Sequence, residues 1–366
     1  MKKLMTVVAI VASALIFTGC GGKPKIPANT VAAAYVDLDN LVGNAFDVVD
    51  DAIDEIPNKE KRKEMREEFK KFVKEHKPDF KAIDLDWAVL TFGIGENDKE
   101  ELALVIKCDC KKKIPTADAS VSEMVKGMGG GKTISSGEKY ETYKISLGGG
   151  GMMFMPIPLP KSLFVTVAKD QYVILTAEEN VMKKMVDLYA NGKGETSDDF
   201  DDLADVSSDT IIRIQTAEAK TFAKLAGVKE FIENYCKEAG DEDMADLLLD
   251  VENLTLDINF SDDIVGAVLT VDAGSRELAK VVESAFNVVA FASRLGVDLV
   301  AGNPEGFRSK FGCNSISKDA FAKMVKAVAE EVRDGVEADR SGSTATLTVE
   351  LDTDDLLEAV VPAIFE

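Results

Sequence analysis

Short runs rich in β-branched and aromatic residues alternate along this chain with longer stretches of helical period, and each kind is closed by turn residues. The first half opens with a predicted strand at Thr30–Asp37, followed by an amphipathic helix at Leu38–Ile53. Pro57-Asn58 break the pattern before a strongly charged helix at Lys59–Lys77. Strands follow at Leu85–Phe92 and Glu101–Cys108, joined by the turn sequence Gly93 to Asp98. After a helix near Ala117–Lys126 come strands at Lys139–Ser146, Leu163–Ala168 and Tyr172–Thr176. A helix at Ala177–Tyr189 is closed by Asn191-Gly192, a good C-terminal cap.

The second half repeats that order. A strand at Thr210–Ile214 leads to helices near Ala217–Leu225 and Lys229–Ala239, then to strands at Val251–Phe260 and Ile264–Val271. Helices follow at Ser275–Leu295 and Lys318–Val332. A hairpin pairs Val336–Asp339 with Thr344–Leu351 around Ser341-Gly342, and a helix at Asp352–Phe365 ends the chain. The segment Asp84–Thr91 parallels Asp250–Asp257, each leading through a turn to a second apolar strand. The period of about 170 residues is too long for a solenoid unit and suits a duplicated domain. The expected class is α+β: two similar halves, each a largely antiparallel sheet with helices packed on one face. The expected boundaries are a leader at 1–19, a tether at 20–29, a first repeat at 30–195 and a second at 205–366.

Composition narrows the function classes. With 46% hydrophobic residues the chain has enough for a real core, which excludes disorder as a global description. Loss of residues 1–19 removes two lysines and no acid, taking the net charge from −22 to −24. Such a surface repels nucleic acid and anionic headgroups, and keeps an anchored body soluble. Beyond Cys20 there are four cysteines: Cys108, Cys110, Cys236 and Cys313. They allow three full pairings, and their spacing favours structural thiols or a single disulfide over metal or redox chemistry.

Motifs that resemble chemistry dissolve on inspection. The run Gly127 to Thr133 looks like a phosphate loop, but Lys126 stands where the first loop glycine is required. It also leaves a helix and enters a strand, so helix N-terminal amides would not face a phosphate. The only histidine, His76, sits among charges at Lys74–Pro78 and reads as exposed and non-catalytic. Acidic clusters at Asp198–Asp202, Asp241–Asp243 and Asp352–Asp355 lack the calcium-loop pattern. Asp352 and Thr353 suit a helix N-cap, with Asp354 and Asp355 in its first turn. No cofactor, metal site or catalytic residue is expected.

Two apolar stretches stand out. Gly148 to Gly151 form a loose hinge before Met152, Met153, Phe154, Met155, Pro156, Ile157, Pro158, Leu159 and Pro160. Methionine surfaces adapt to varied partners, so this run is either a partner loop or a buried connection over the sheet. The helix Ser275–Leu295 is apolar almost all round, yet only ten residues separate Glu283 from Arg294. That is too short to span a bilayer, so a buried central helix is expected.

The first twenty residues carry the clearest signal. Met1-Lys2-Lys3 precede an uncharged, mostly apolar stretch from Leu4 to Phe17, then Thr18-Gly19-Cys20. This resembles the signal peptide and lipobox of bacterial lipoproteins, with Phe17 a departure from their usual leucine. The resemblance implies cleavage before Cys20 and attachment of diacylglycerol and a further acyl chain such as palmitate to that residue. Several chains anchor stably where one is marginal. Gly21 after the cysteine, in place of aspartate, implies an outer-membrane destination facing the periplasm. The rival is a plain secretory signal with a chance cysteine. The openings Ile26–Leu38 and Tyr172–Ala177 also resemble those of secreted bacterial proteins built from repeated α+β units, which implies a fold type and no activity. The expected function is a lipid-anchored cell-envelope protein, a non-enzymatic binding or structural module, with membrane lipid and an envelope protein as partners and no nucleic acid. The alternative is a solute- or lipid-binding lipoprotein with an apolar pocket between the halves. An envelope hydrolase using paired carboxylates comes third.

Overall fold

A computed structural model describes residues 23–82, 84–96, 99–109, 132–135, 140–146, 162–169, 171–217, 251–310 and 316–365. Along the chain the elements are β1 (Thr30–Asp37), α1 (Leu38–Asp54), α2 (Lys59–Ala82), β2 (Asp84–Ile94), β3 (Glu100–Asp109), β4 (Lys132–Ser135), β5 (Glu141–Ser146), β6 (Ser162–Ala168), β7 (Tyr172–Thr176) and α3 (Glu179–Val186). They continue with β8 (Thr210–Thr216), β9 (Asn253–Phe260), β10 (Ile264–Asp272), α4 (Arg276–Gly302), α5 (Pro304–Arg308), α6 (Lys318–Gly335), β11 (Val336–Ser341), β12 (Thr344–Asp352) and α7 (Thr353–Phe365). The class is α+β with antiparallel strand pairing, as the hairpin pattern predicts. Contacts divide the chain into two compact units. One holds residues up to Asp39 with His76–Asp205, the other Asn40–Glu75 with Val206–Glu366. Asn40–Glu75 thus groups with the C-terminal residues, although sequence order places it in the first repeat.

The first unit is built on the strand order β1-β2-β3-β7-β6-β5-β4, every neighbouring pair antiparallel. Its central strands supply Val89, Val105, Val165 and Ile174, all fully buried. Over them α3 lays Val181, Met182, Met185 and Val186. After α3 the helix widens into one π turn, Asp187–Asn191. It ends at Gly192, whose φ of 65° is the left-handed cap that the sequence predicts. Several polar side chains buried in this unit are paired. Lys107 Nζ donates to Asp86 at 3.0 Å, and the Thr142 and Thr166 hydroxyls meet at 2.7 Å.

The second unit is built on the order β8-β9-β10-β12-β11, again antiparallel throughout. Ser275 caps α4, its hydroxyl accepting from the Leu278 amide at 3.2 Å. Leu278, Ala279, Val282 and Phe286 then pack on Val251, Val271, Ala273 and Ala345 to form one core. A second core joins Ile53, Ile56, Met65 and Val361, with Phe69, Leu357 and Phe365 packed against it. The Phe46 and Phe69 rings meet there at 6.0 Å. Asp352 caps α7 as predicted, accepting from the Asp355 amide at 3.1 Å.

One expectation is overturned. The long apolar helix runs on to Gly302, and beyond Phe286 only Ala290 is buried. Val288, Val289, Phe291, Leu295 and Leu299 are between 47 and 66% exposed. Only one face of the helix lies against its unit: its buried residues are Leu278, Ala279, Val282, Phe286 and Ala290, and Arg294 donates to the carbonyl of Val336 in β11. Hydrophobicity all round a helix reads as burial, but it reports composition and not what lies opposite.

Candidate functional site

Two surfaces stand out, one in each unit. In the first unit the chain enters the fold earlier than a tether through residue 29 would. The Ser197 amide donates to the Ile26 carbonyl at 2.9 Å, the Ala28 amide donates to the Glu195 carbonyl at 3.1 Å, and Pro27 bridges Thr196. Ile26 is buried between them. The Tyr189 hydroxyl, carried on the π turn, closes both ends of the same peptide group series. It accepts from the Lys25 amide at 3.1 Å and donates to the Lys25 carbonyl at 2.8 Å.

Tyr189 is itself fixed. Its ring lies 5.1 Å from Tyr172 and 6.3 Å from Trp87, in tilted contacts. Burial is the main cause that pushes its phenol well above the usual range. The bond to Lys25 works in the other direction, and Tyr172 adds to the rise. It is therefore a neutral hydrogen-bonding post at any ordinary pH. Four residues on, Asn29 ties the segment to the β2–β3 turn. Its carbonyl accepts from the Ile94 amide at 3.0 Å, and its side chain donates to the Ile94 carbonyl and to Glu101, each at 2.9 Å. Lys184 reaches the other Glu101 oxygen at 2.6 Å, so this buried carboxylate is held on both sides. The approach is close enough to require Gly93, where a β-carbon would lie 2.8 Å from the Asn29 carbonyl oxygen.

Beside this seam lies an open hollow of about 370 Å³, lined among others by Lys23, Lys25, Leu188, Ser197, Phe200 and Asp201. Lys23 Nζ donates to the Asp205 carboxylate at 2.7 Å and to the Asp201 carbonyl at 3.1 Å. Lys25 Nζ reaches the Leu188 carbonyl at 3.4 Å. The acidic run Asp198–Asp202 forms a single 3₁₀ turn capped by Ser197, with Phe200 turned inward and buried. That is a cap and a solvated turn.

The second surface is the far half of α4. Val288, Phe291, Leu295 and Leu299 recur every three or four residues and so share one face. Polar ties fix the helix elsewhere. Arg340 pairs with Glu283 at 2.8 Å, Arg294 holds Val336, and Arg333 of α6 pairs with Asp298. A window of 18 residues in α4 is apolar enough for a membrane span, yet three charged residues of the helix, Glu283, Arg294 and Asp298, are engaged in the folded unit.

Other sequence candidates fall differently. His76 is in the α2 backbone and Cys108 in β3, with side chains outside the described residues. Cys20, Cys110, Cys236, Cys313 and the run Met152, Met153, Phe154, Met155, Ile157 and Leu159 lie outside them altogether. Lys132 and Thr133, the end of the glycine run, are in β4 and pair with Lys144 and Tyr143. Among the described residues no group of three His, Cys, Asp or Glu is placed to hold a metal ion. The seam gave no periodic signal, and the exposed face of α4 gave a helical period that a buried helix would share. The first is a two-residue bridge between segments about 170 positions apart, and the second differs from a core helix only in what covers it.

No family model matches the chain, and no curated protein matches it. Among solved structures it is similar to TP0453 in crystal form III, with TM-score 0.41, 8% identity, and coverage of 93% of this chain and 98% of that one. Crystal form IV of TP0453 gives TM-score 0.39, 9% identity, and coverage of 93% and 97%. Crystal form I gives 0.38, 8%, 93% and 98%.

Proposed function

We propose that this chain is a lipoprotein acylated at Cys20, held on the extracytoplasmic side of an envelope membrane, where it acts as a non-enzymatic binding module. The observation that carries this reading is the leader. A basic start, an apolar stretch from Leu4 to Phe17 and Thr18-Gly19-Cys20 stand directly before a chain that is hydrogen-bonded into a folded unit from Lys23 onward. A binding role is supported by the α4 face, since an exposed apolar row on a folded helix is the usual mark of a contact surface. A role without catalysis is supported by the buried polar groups of the first unit, where Glu101, Lys107 and Thr166 are engaged in holding the fold. The matching orders β1-β2-β3 and β8-β9-β10 support an origin by duplication. The outer membrane, facing the periplasm, is the destination this reading assigns.

The test is metabolic labelling with an alkyne fatty acid in cells expressing the wild type or Cys20→Ser. The reading requires label on the wild type, loss of label in the variant, and release of the variant from the membrane fraction. Unlabelled precursor in the cytosol would overturn it.

A further inference from the structure

We infer that the first unit does not swing on a loose tether but is held with one end, the surface around Lys23, Gly192 and Asp205, against the headgroup layer of zwitterionic lipid. This rests on the proposed acylation of Cys20. The argument is one of reach. From Cys20 to Lys25, whose amide and carbonyl are both fixed by Tyr189, is five residues, at most about 18 Å of extended chain. From Cys20 to Lys23, held by Asp201 and Asp205, it is at most about 11 Å. An acylated Cys20 sits at the lipid surface, so these residues lie within that distance of it.

The segment also has a direction. Lys25 lies at the cluster of Tyr189, Tyr172 and Trp87, while Asn29 lies at Ile94. Residues 25–29 therefore run lengthwise along the unit. Trp87 and Gly95 stand eight positions apart on or just beyond β2, roughly 26 Å at the rise of a strand. The Lys23 end is thus the near end, and the β2–β3 turn at Gly95 is the far one.

Charge decides which lipid this surface fits. Asp198, Asp199, Asp201, Asp202 and Asp205 outnumber Lys23, Lys25 and Lys193 around the entry point. Anionic headgroups would repel that rim over a screening length of about 10 Å at 0.1 M salt. The ammonium groups of phosphatidylethanolamine would not.

The experiment uses the full processed, acylated chain in phosphatidylethanolamine-rich vesicles, with amide hydrogen exchange read by mass spectrometry against the same protein in detergent. Exchange should slow in residues 189–205 and stay unchanged in 93–101. Replacing part of the phosphatidylethanolamine by phosphatidylglycerol should reduce that protection. A variant with ten Gly-Ser residues inserted between Gly22 and Lys23 keeps both the fold and the acylation signal, and it should lose the protection. Intact mass separates the two ways of failing. An acylated protein with equal exchange at both ends, or with protection retained on the long tether, overturns the orientation alone. A protein without acyl chains overturns the anchor and the orientation together.

Discussion

Tyr189→Phe isolates the post that fixes the entering chain. The ring keeps its place against Tyr172 and Trp87, so no cavity opens, and only the hydroxyl is lost. That hydroxyl makes two bonds, to the amide and the carbonyl of Lys25. At about 0.5–1.5 kcal/mol net for each, the segment loses on the order of 1–3 kcal/mol. Local opening is governed by that local free energy and not by the whole unit, so opening of residues 25–28 should become roughly 5- to 150-fold more frequent. The assay is residue-resolved amide exchange at Ala28 and Ser197, whose amides close the seam with Glu195 and Ile26. The Val105 amide, in the centre of the sheet, serves as the control. Unchanged exchange at Ala28 and Ser197 would refute the assignment of the post. Equal acceleration at Val105 would show that Tyr189 supports the unit as a whole.

Other consequences are as direct. Phe286→Ala should cost about 3–5 kcal/mol in thermal or urea unfolding, because its ring is buried in the β-sheet core, whereas Phe291→Ala, five positions on and 66% exposed, should fall within about 0.5 kcal/mol of wild type. Gly93→Ala should destabilise by about 1–3 kcal/mol through its clash with Asn29, while Gly43→Ala, with open space around it inside α1, should stabilise by up to about 1 kcal/mol. Tyr35 and Tyr189 are both held above the ordinary tyrosine value, chiefly by burial, with Asp37 and Asp86 adding to the effect at Tyr35. A pKa raised in the folded state gives stability that is complete below the unfolded value of 10.0 and declines as pH rises above it. Melting temperature should therefore fall above pH 10, with part of the phenolate absorbance of the six tyrosines appearing only on unfolding. Asp51, raised by partial burial and by Asp354, Asp262, Asp50 and Asp47, sits in a crowded acidic patch, so Asp51→Asn should raise the melting temperature, and less so in high salt.

Elements with strong local signals were legible in the sequence. β1 and β7 have the predicted bounds Thr30–Asp37 and Tyr172–Thr176, and the Asn191-Gly192 and Asp352 caps stand where their chemistry places them. These features depend on neighbours within a few residues, which is the range over which periodicity and capping act. What was not legible depends on distant partners. β4 is four residues long and exists by pairing with β5, too short for any period. Asn40–Glu75 groups with the second unit because α1 and α2 find their core against Val361 and Leu357, some 300 positions away. The seam was missed for the same reason: Pro24 and Pro27 among lysines resemble a linker until Tyr189 and Glu195–Ser197 are set beside them. Burial of α4 was misjudged because its composition suits a core all round, while only the face of Leu278, Val282, Phe286 and Ala290 is buried.

The most direct measurement is the intact mass and N-terminal peptide of the protein purified from its own membranes. A chain beginning at Cys20, heavier than the bare 20–366 polypeptide by diacylglycerol and one further acyl group, is the predicted result. A chain that retains residues 1–19, or one that begins elsewhere with Cys20 absent or carrying an unmodified thiol, would contradict it.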